Sequence, residues 1–360
     1  MSLKKTLKNY SKKIMYFIAY YSGLLHASIF MFGRMRKNHP AVILFYHRFT
    51  SGKMASYHLP HLERGEFEKQ MKHIKRWYEV VTMDKLAEEI NNGKKLRAPN
   101  IAITIDDGYH NNYTLAFPIL RKLQLPATIY LTTGFINTNR APWVDELLDM
   151  LLETKVKTLC LPEILSNEIL DISTPVLKRA AVKKLFHVLL RLEHDQRIRL
   201  LQRLSEILKA DSNFENNGKR KMLTWDEIAE MSQHNISFGA HTVTHSTLST
   251  MELNEAKAEI YNSKHEIEKK VGVQVNHFAI PNGKKEDFND ELKQYCREIG
   301  LKTSASTEPG VVYSLSDPYF LNRILPPAPI SVFACELARY IFFGKQNHDS
   351  ANSKLYRCYK

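Results

Sequence analysis

Two short clusters in this 360-residue sequence place carboxylates and imidazoles at the ends of apolar runs. The first is Ile-Thr-Ile-Asp-Asp-Gly at 103–108. Neighbouring strand residues point to opposite faces. Asp106 and Asp107 therefore reach one site only where a strand ends and the chain turns, which Gly108 permits. Alone, the run suits a plain Asp-Gly turn equally well. The second cluster is Gly-Ala-His-Thr-Val-Thr-His at 239–245. His241 and His245 are four apart, so one helical turn sets both imidazoles on one side. Two histidines and one carboxylate make a three-ligand metal site with positions left open for water and substrate. That is the pattern of a catalytic rather than a structural zinc. Alone, the pair is also compatible with two hydrogen-bonded histidines at a strand–helix junction.

The elements that must position these residues show as periodicity. Apolar runs at 41–47, 101–106, 127–133, 236–241, 277–281 and 301–306 read as buried strands. Helical spacing covers 67–78, 83–93, the stretch from the second strand through Leu123, and 286–300. Strands alternating with helices imply parallel β-α-β units, in a barrel or a doubly wound sheet, with sites at the edge where strands end. Residues 143–225 break this rhythm and read as a helical insertion between two strands. Its plain role is to extend one wall; its functional alternative is a basic substrate rim or membrane-facing cap.

Composition narrows the class. Hydrophobic residues are 44% and charged residues 25%, enough for a packed core. The 4 cysteines include no Cys-x-x-Cys, which excludes a cysteine zinc finger, a thioredoxin-type pair and a disulfide scaffold. Net charge is +13, yet residues 1–62 hold ten Lys/Arg and no acidic residue. So uneven a placement favours a membrane surface or an anionic polymer over nucleic acid. Between Lys13 and Arg34 lie 20 residues without formal charge, long enough as a helix for a ~30 Å hydrocarbon core. Lys5, Lys8, Lys12, Ala19, Ser22 and His26 share one face with apolar residues opposite, which suits a helix lying in the membrane interface. A single span and a helix docked on the domain are the alternatives. No Ala-x-Ala cleavage site follows, against a removable signal peptide. The expected organisation is a membrane-associating helix over 1–38, a barrel over 39–335 with its insertion at 143–225, and a tail over 336–360. The expected place is the membrane of a cell envelope, on an undetermined side.

Taken together the motifs resemble the polysaccharide deacetylase family, also called carbohydrate esterase family 4 or the NodB-type domain. Thr104-Ile105-Asp106-Asp107-Gly108 is similar to its Thr-Phe-Asp-Asp-Gly motif, and His241-Thr242-Val243-Thr244-His245 to its His-Ser/Thr-x-x-His motif. Ile280-Pro281-Asn282-Gly283 resembles its Tyr/Trp-Pro-x-Gly turn. The resemblance spans roughly residues 40–330 outside the insertion. It implies a distorted (β/α)7 barrel and removal of N-acetyl groups from a glycan by a metal-activated water. Asp107, His241 and His245 would hold one divalent ion, zinc first. Asp106 would be the general base, and a backbone N–H near Asn282 would meet the oxyanion.

Two departures follow from the same comparison. The family's Leu-x-His motif has no counterpart in Leu-Asn-Arg-Ile-Leu-Pro-Pro at 321–327. Phe45-Tyr46-His47-Arg48 instead resembles a branch, including deacetylases of poly-β-1,6-N-acetylglucosamine, that starts with Tyr-His. His47 is then the expected acid, placed across the metal from Asp106. The usual Arg beside the base is missing from 277–281, and Arg323 is the expected substitute. Tyr109 and Trp143 are expected to line sugar subsites. An O-acetyl esterase and a non-catalytic glycan-binding or scaffold module remain as alternatives. A glycosidase fits poorly, because its two carboxyls stand ~5–9.5 Å apart. A two-His-one-carboxylate iron oxygenase would need a co-substrate site, which nothing in the sequence supplies.

Overall fold

The computed structural model describes residues 3–35, 39–52, 61–93, 98–166, 168–209 and 221–344. The expected tail beyond 344 and the side chains of Lys5 and Lys8 lie outside the described residues.

The chain opens with two helices rather than one, α1 (Leu3–Tyr21) and α2 (Leu24–Met35). They meet at Ser22-Gly23, where Gly23 takes φ 83°, and are bent by 72°. No single described helix is long and apolar enough to cross a membrane; the bent pair passes only together, by length and composition. The barrel starts at β1 (Ala41–Tyr46), followed by a short pair, β2 (Arg48–Thr50) and β3 (His61–Glu63). Helix α3 (Arg64–Trp77) begins where the Glu63 carboxylate accepts the N–H groups of Gly65 and Glu66. Strand β4 (Glu79–Val81), helix α4 (Met83–Asn91) and strand β5 (Asn100–Ile105) follow. After a π-helical turn at 112–116 come α5 (Phe117–Leu123) and β6 (Ala127–Leu131).

The insertion contains α6 (Trp143–Glu153), β7 (Thr158–Cys160), α7 (Pro162–Leu165), β8 (Ile169–Asp171), α8 (Pro175–Leu189) and α9 (His194–Ile207). It is helical as expected but carries an antiparallel hairpin, β7 with β8, too short to show as periodicity. Its apolar residues form a core of their own around Leu147, Leu151, Leu185 and Leu204. The barrel resumes with α10 (Trp225–Ser232), opened by a Thr224/Glu227 capping box, and β9 (Ile236–Ala240). It ends with α11 (Leu253–Val271), β10 (His277–Ala279), α12 (Asp290–Glu298), β11 (Thr303–Pro309), β12 (Leu321–Arg323) and α13 (Ile330–Phe343). The boundary expected after residue 335 falls inside α13, whose apolar face continues to Ile341.

The main sheet runs β1-β5-β6-β9-β10-β11-β12, all parallel, with β4 sharing an edge of β5. Ile324, just past β12, returns to β1: its N–H meets Ile43 O at 2.8 Å and its carbonyl meets Phe45 N at 3.1 Å. Seven strands thus close on themselves, and the distorted (β/α)7 barrel that the resemblance implied is the observed fold. Burial on both faces explains why β1 and β5 read as unbroken apolar runs.

Candidate active site

Strand β5 delivers both carboxylates to the barrel mouth. The Asp106 N–H still bonds to Tyr46 O at 2.8 Å, continuing the ladder with β1. Asp107 then turns to φ 77° and Gly108 to φ 83°. That left-handed step breaks the strand's alternation, so both side chains face one site. The positive φ of Gly108 favours glycine there, and a Cβ would also press on the end of the Leu131 side chain at 2.9 Å.

Asp107, His241 and His245 offer ligand atoms that all lie within 4.8 Å of one another. Nε2 of His241 is 3.4 Å and Nε2 of His245 is 3.2 Å from Asp107 Oδ1. His241 holds its other nitrogen, Nδ1, 2.7 Å from Ala279 O, so Nδ1 carries the proton and Nε2 presents its lone pair to the site. Asp107 Oδ1 is buried without a hydrogen-bond partner. A buried carboxylate oxygen facing two imidazole nitrogens is a donor set that a divalent cation completes. Burial pushes the Asp107 carboxyl up, but the two imidazoles override it and hold it well below the usual range. The same contact raises His241 against the lowering effect of its burial.

The histidines do not converge by a helical turn. Residues 241–247 form a loop in which Thr242 (φ 63°) and His245 (φ 56°) are both left-handed. The Thr242 hydroxyl accepts the His245 N–H at 3.0 Å. Glu259 of α11 accepts the N–H groups of Val243 at 2.8 Å and Thr244 at 2.9 Å. Glu259 escaped the sequence reading because it sits on an ordinary charged helix; only its place opposite the loop reveals it.

Asp106 is gripped from two strands away, across β1. Arg323 on β12 donates from both terminal nitrogens to its two oxygens, at 2.7 and 2.8 Å. Arg323 is 0% exposed, with its guanidinium over the Phe45 ring at 4.6 Å and its Nε on Ser306 O at 2.7 Å. Burial works to raise the Asp106 carboxyl, but the Arg323 charge prevails and leaves it lowered. The acid expected across the metal from Asp106 lies beside it: His47 Nε2 is 3.9 Å from Asp106 Oδ2. Register is the reason, since Tyr46 pairs with Ile105 and the next residue of each strand emerges alongside the other. Burial lowers the His47 imidazole, against the opposing pull of Asp107 and Asp106.

Asn282 sits after β10 at φ 58°, its amide on the Thr247 hydroxyl at 2.6 Å. Its own N–H makes no hydrogen bond among the described residues. Trp143 departs from expectation, whereas Tyr109 is buried beside Asp107. Tyr109 is 6% exposed, its hydroxyl donating to Asp145 at 2.7 Å and its ring under the Arg48 guanidinium at 4.2 Å. Trp143, also 6% exposed, stacks on Phe186 at 5.5 Å within the insertion's core. Each aromatic found a packed environment, which outweighs exposure at a rim.

An acid–imidazole cluster at the carboxyl ends of barrel strands is the usual place of a barrel enzyme's active site. The chain matches the polysaccharide deacetylase family over residues 93–304, and it belongs to that family. It is similar to YxkH of Bacillus subtilis (strain 168), which carries a polysaccharide deacetylase name, at 22% identity over 78% of this chain and 70% of that one. A 75-residue stretch is 33% identical to poly-beta-1,6-N-acetyl-D-glucosamine N-deacetylase of Escherichia coli (strain K12), covering 20% of this chain and 11% of the relative. In fold it is similar to the Streptococcus pyogenes deacetylase PplD, at 19% identity and TM-score 0.52 over 80% of this chain and 93% of that one. IcaB from Ammonifex degensii gives 16% identity and TM-score 0.53 over 85% and 98%.

Proposed function

We propose that this chain is a metal-dependent N-deacetylase of an N-acetylhexosamine glycan. We place it in the branch with a Tyr-His pair after the first strand, at a membrane surface of a cell envelope. The carrying observation is the convergence of Asp107, His241 and His245 beside an Asp106 gripped by Arg323. Those three residues would hold a divalent cation, zinc first for its nitrogen and oxygen donors, which would supply Lewis acidity and acidify water. Asp106, ionised beside Arg323, takes a proton from the water that attacks the acetyl carbonyl. The Asn282 N–H donates to the carbonyl oxygen as it gains charge. An amine leaves only once protonated. His47 starts neutral, receives across a short gap the proton that Asp106 took, and passes it to the departing nitrogen. One proton leaves water and one reaches the amine, so both residues return to their starting forms.

The name of the Escherichia coli relative supports an N-acetylglucosamine polymer as substrate. The N-terminal helices support the membrane surface. Lys12 and Tyr16 of α1 turn inward to Glu336 of α13, each at 2.9 Å. Ile14, Phe17, Ile18 and Tyr21 face outward and are exposed. A docked helix that still leaves Ile14, Phe17, Ile18 and Tyr21 bare is suited to a lipid interface.

The test is acetate release from β-1,6-linked N-acetylglucosamine oligomers, read by mass spectrometry. Chelation should stop it and zinc should restore it. Folded, zinc-loaded protein that cleaves aryl acetates but releases no acetate from N-acetylhexosamine oligomers would replace this reading by the O-acetyl esterase.

A further inference from the structure

An open cavity of about 600 Å³ lies between the α1/α2 bend and α3, and no residue of the active site lines it. Lys69, Lys72 and Arg76 stand at i, i+3 and i+7 on α3 and share one face of that helix. His26 of α2 stacks on Trp77 of α3 with centroids 4.7 Å apart. Among the described residues, none of the lining side chains is acidic. Lys69 and Lys72 do have partners, Glu66 and Glu68, each at 2.7 Å. Such exposed pairs along one helix are weak and yield to a stronger anion. His73 lines the cavity yet is only 4% exposed, and its Nε2 is buried without a hydrogen-bond partner. The rim is apolar and bare: Tyr21 is 61% and Leu24 66% exposed.

Three cations, two of them shared with Glu66 and Glu68 beside the cavity, and a buried imidazole fit a group with several anionic oxygens. The bare apolar rim fits such a group carried on acyl chains. We propose that this cavity holds the phosphate headgroup of an anionic membrane lipid, so that the N-terminal helices select lipid by charge while their outer side chains enter the interface. This rests on the membrane part of the proposed function and is independent of the deacetylation chemistry.

The test uses the full chain with vesicles of phosphatidylcholine, alone or mixed with phosphatidylglycerol. Partition should rise with phosphatidylglycerol. K72A/R76A should lose about 25-fold of that rise, at about five-fold per cation near an anionic surface. Its binding to pure phosphatidylcholine should be unchanged. K13Q removes a charge of the same segment outside the cavity and should cost less per charge; an equal loss would show diffuse attraction and overturn the cavity. Imidazole NMR of His73 supplies a second readout. Dihexanoyl-phosphatidylglycerol below its micelle concentration should shift it saturably, and dihexanoyl-phosphatidylcholine should not. An equal response to inorganic phosphate would assign the cavity to a free anion and overturn the lipid. No response to any probe would overturn the site. Wild type that binds both vesicle types alike sinks only the headgroup proposal, whereas wild type that ignores both sinks the membrane reading beneath it.

Discussion

Replacing Glu259 by Ala tests whether the metal site depends on the loop that carries His245. Glu259 accepts two backbone N–H groups, of Val243 and Thr244, and the Thr244 hydroxyl at 3.1 Å. The loop it holds has left-handed residues at Thr242 and His245. Sparsely populated backbone conformations of this kind cost on the order of 1 kcal/mol each or more. Hydrogen bonds to a charged acceptor contribute about 1.5–3 kcal/mol each when buried. Glu259 is half-buried, so the low end applies, about 3 kcal/mol for the two backbone bonds. Restraint and strain are therefore of similar size, and E259A is expected to free the loop while the barrel stays folded. Loss of a support behind a metal ligand weakens binding about 10–100-fold. Competition with a chromophoric chelator should show that drop in zinc affinity, and kcat/KM should recover as zinc is raised. E259Q should recover partly, because its amide oxygen still accepts. Unchanged zinc affinity in a folded E259A protein would refute the argument.

Arg323→Met should leave Asp106 buried and unpaired. Urea unfolding near neutral pH is then expected to show a loss of about 3–5 kcal/mol, with zinc content retained; a loss below 1 kcal/mol would mean that the pair is not ionic. Asp106→Asn should keep zinc and slow acetate release at least ~10²-fold, measured by single-turnover kinetics; loss of zinc instead would exchange the roles of Asp106 and Asp107. His47→Ala should slow amide hydrolysis by ~10²–10⁴-fold and aryl acetate hydrolysis by less, since a phenolate leaves without a proton. Equal losses would give His47 a purely positioning role. Burial raises the Asp287 carboxyl from 3.8 to about 6, so it favours folding when protonated, fully below pH 3.8. That contribution, about 3 kcal/mol at ~1.4 kcal/mol per pH unit, is lost as pH rises toward 6. In paired unfolding curves at pH 4 and 6.5, D287N should lose less stability with rising pH than wild type; parallel curves would clear Asp287.

Local pattern showed the long barrel strands and the two clusters at their ends, while the ligand set and the class of chemistry came from the resemblance those clusters carry. Parallel strands buried on both faces must be continuously apolar, so β1, β5, β6 and β9 were legible to within two residues. Asp106 with Asp107, and His241 with His245, were legible because each pair is short-range in sequence and ends such a run. The resemblance anticipated that Arg323 meets Asp106 and that Asp107 meets the two histidines, but how distant residues come together is set by the closed barrel. Arg323 reaches Asp106 across 217 positions because β12 returns to β1. His47 lies beside Asp106 rather than opposite it because of the β1/β5 register, which no periodicity encodes. The histidine pair converges through two left-handed residues that Glu259 helps to restrain, where spacing alone suggested a helical turn. Tyr109 and Trp143 turned into packed surroundings because Asp145 and Phe186 were there to receive them. Tyr16 of α1 faces inward, where Glu336, 320 residues away, accepts its hydroxyl. Periodicity records which face of an element is apolar; which neighbour that face meets is a property of the closed sheet and the helices packed around it.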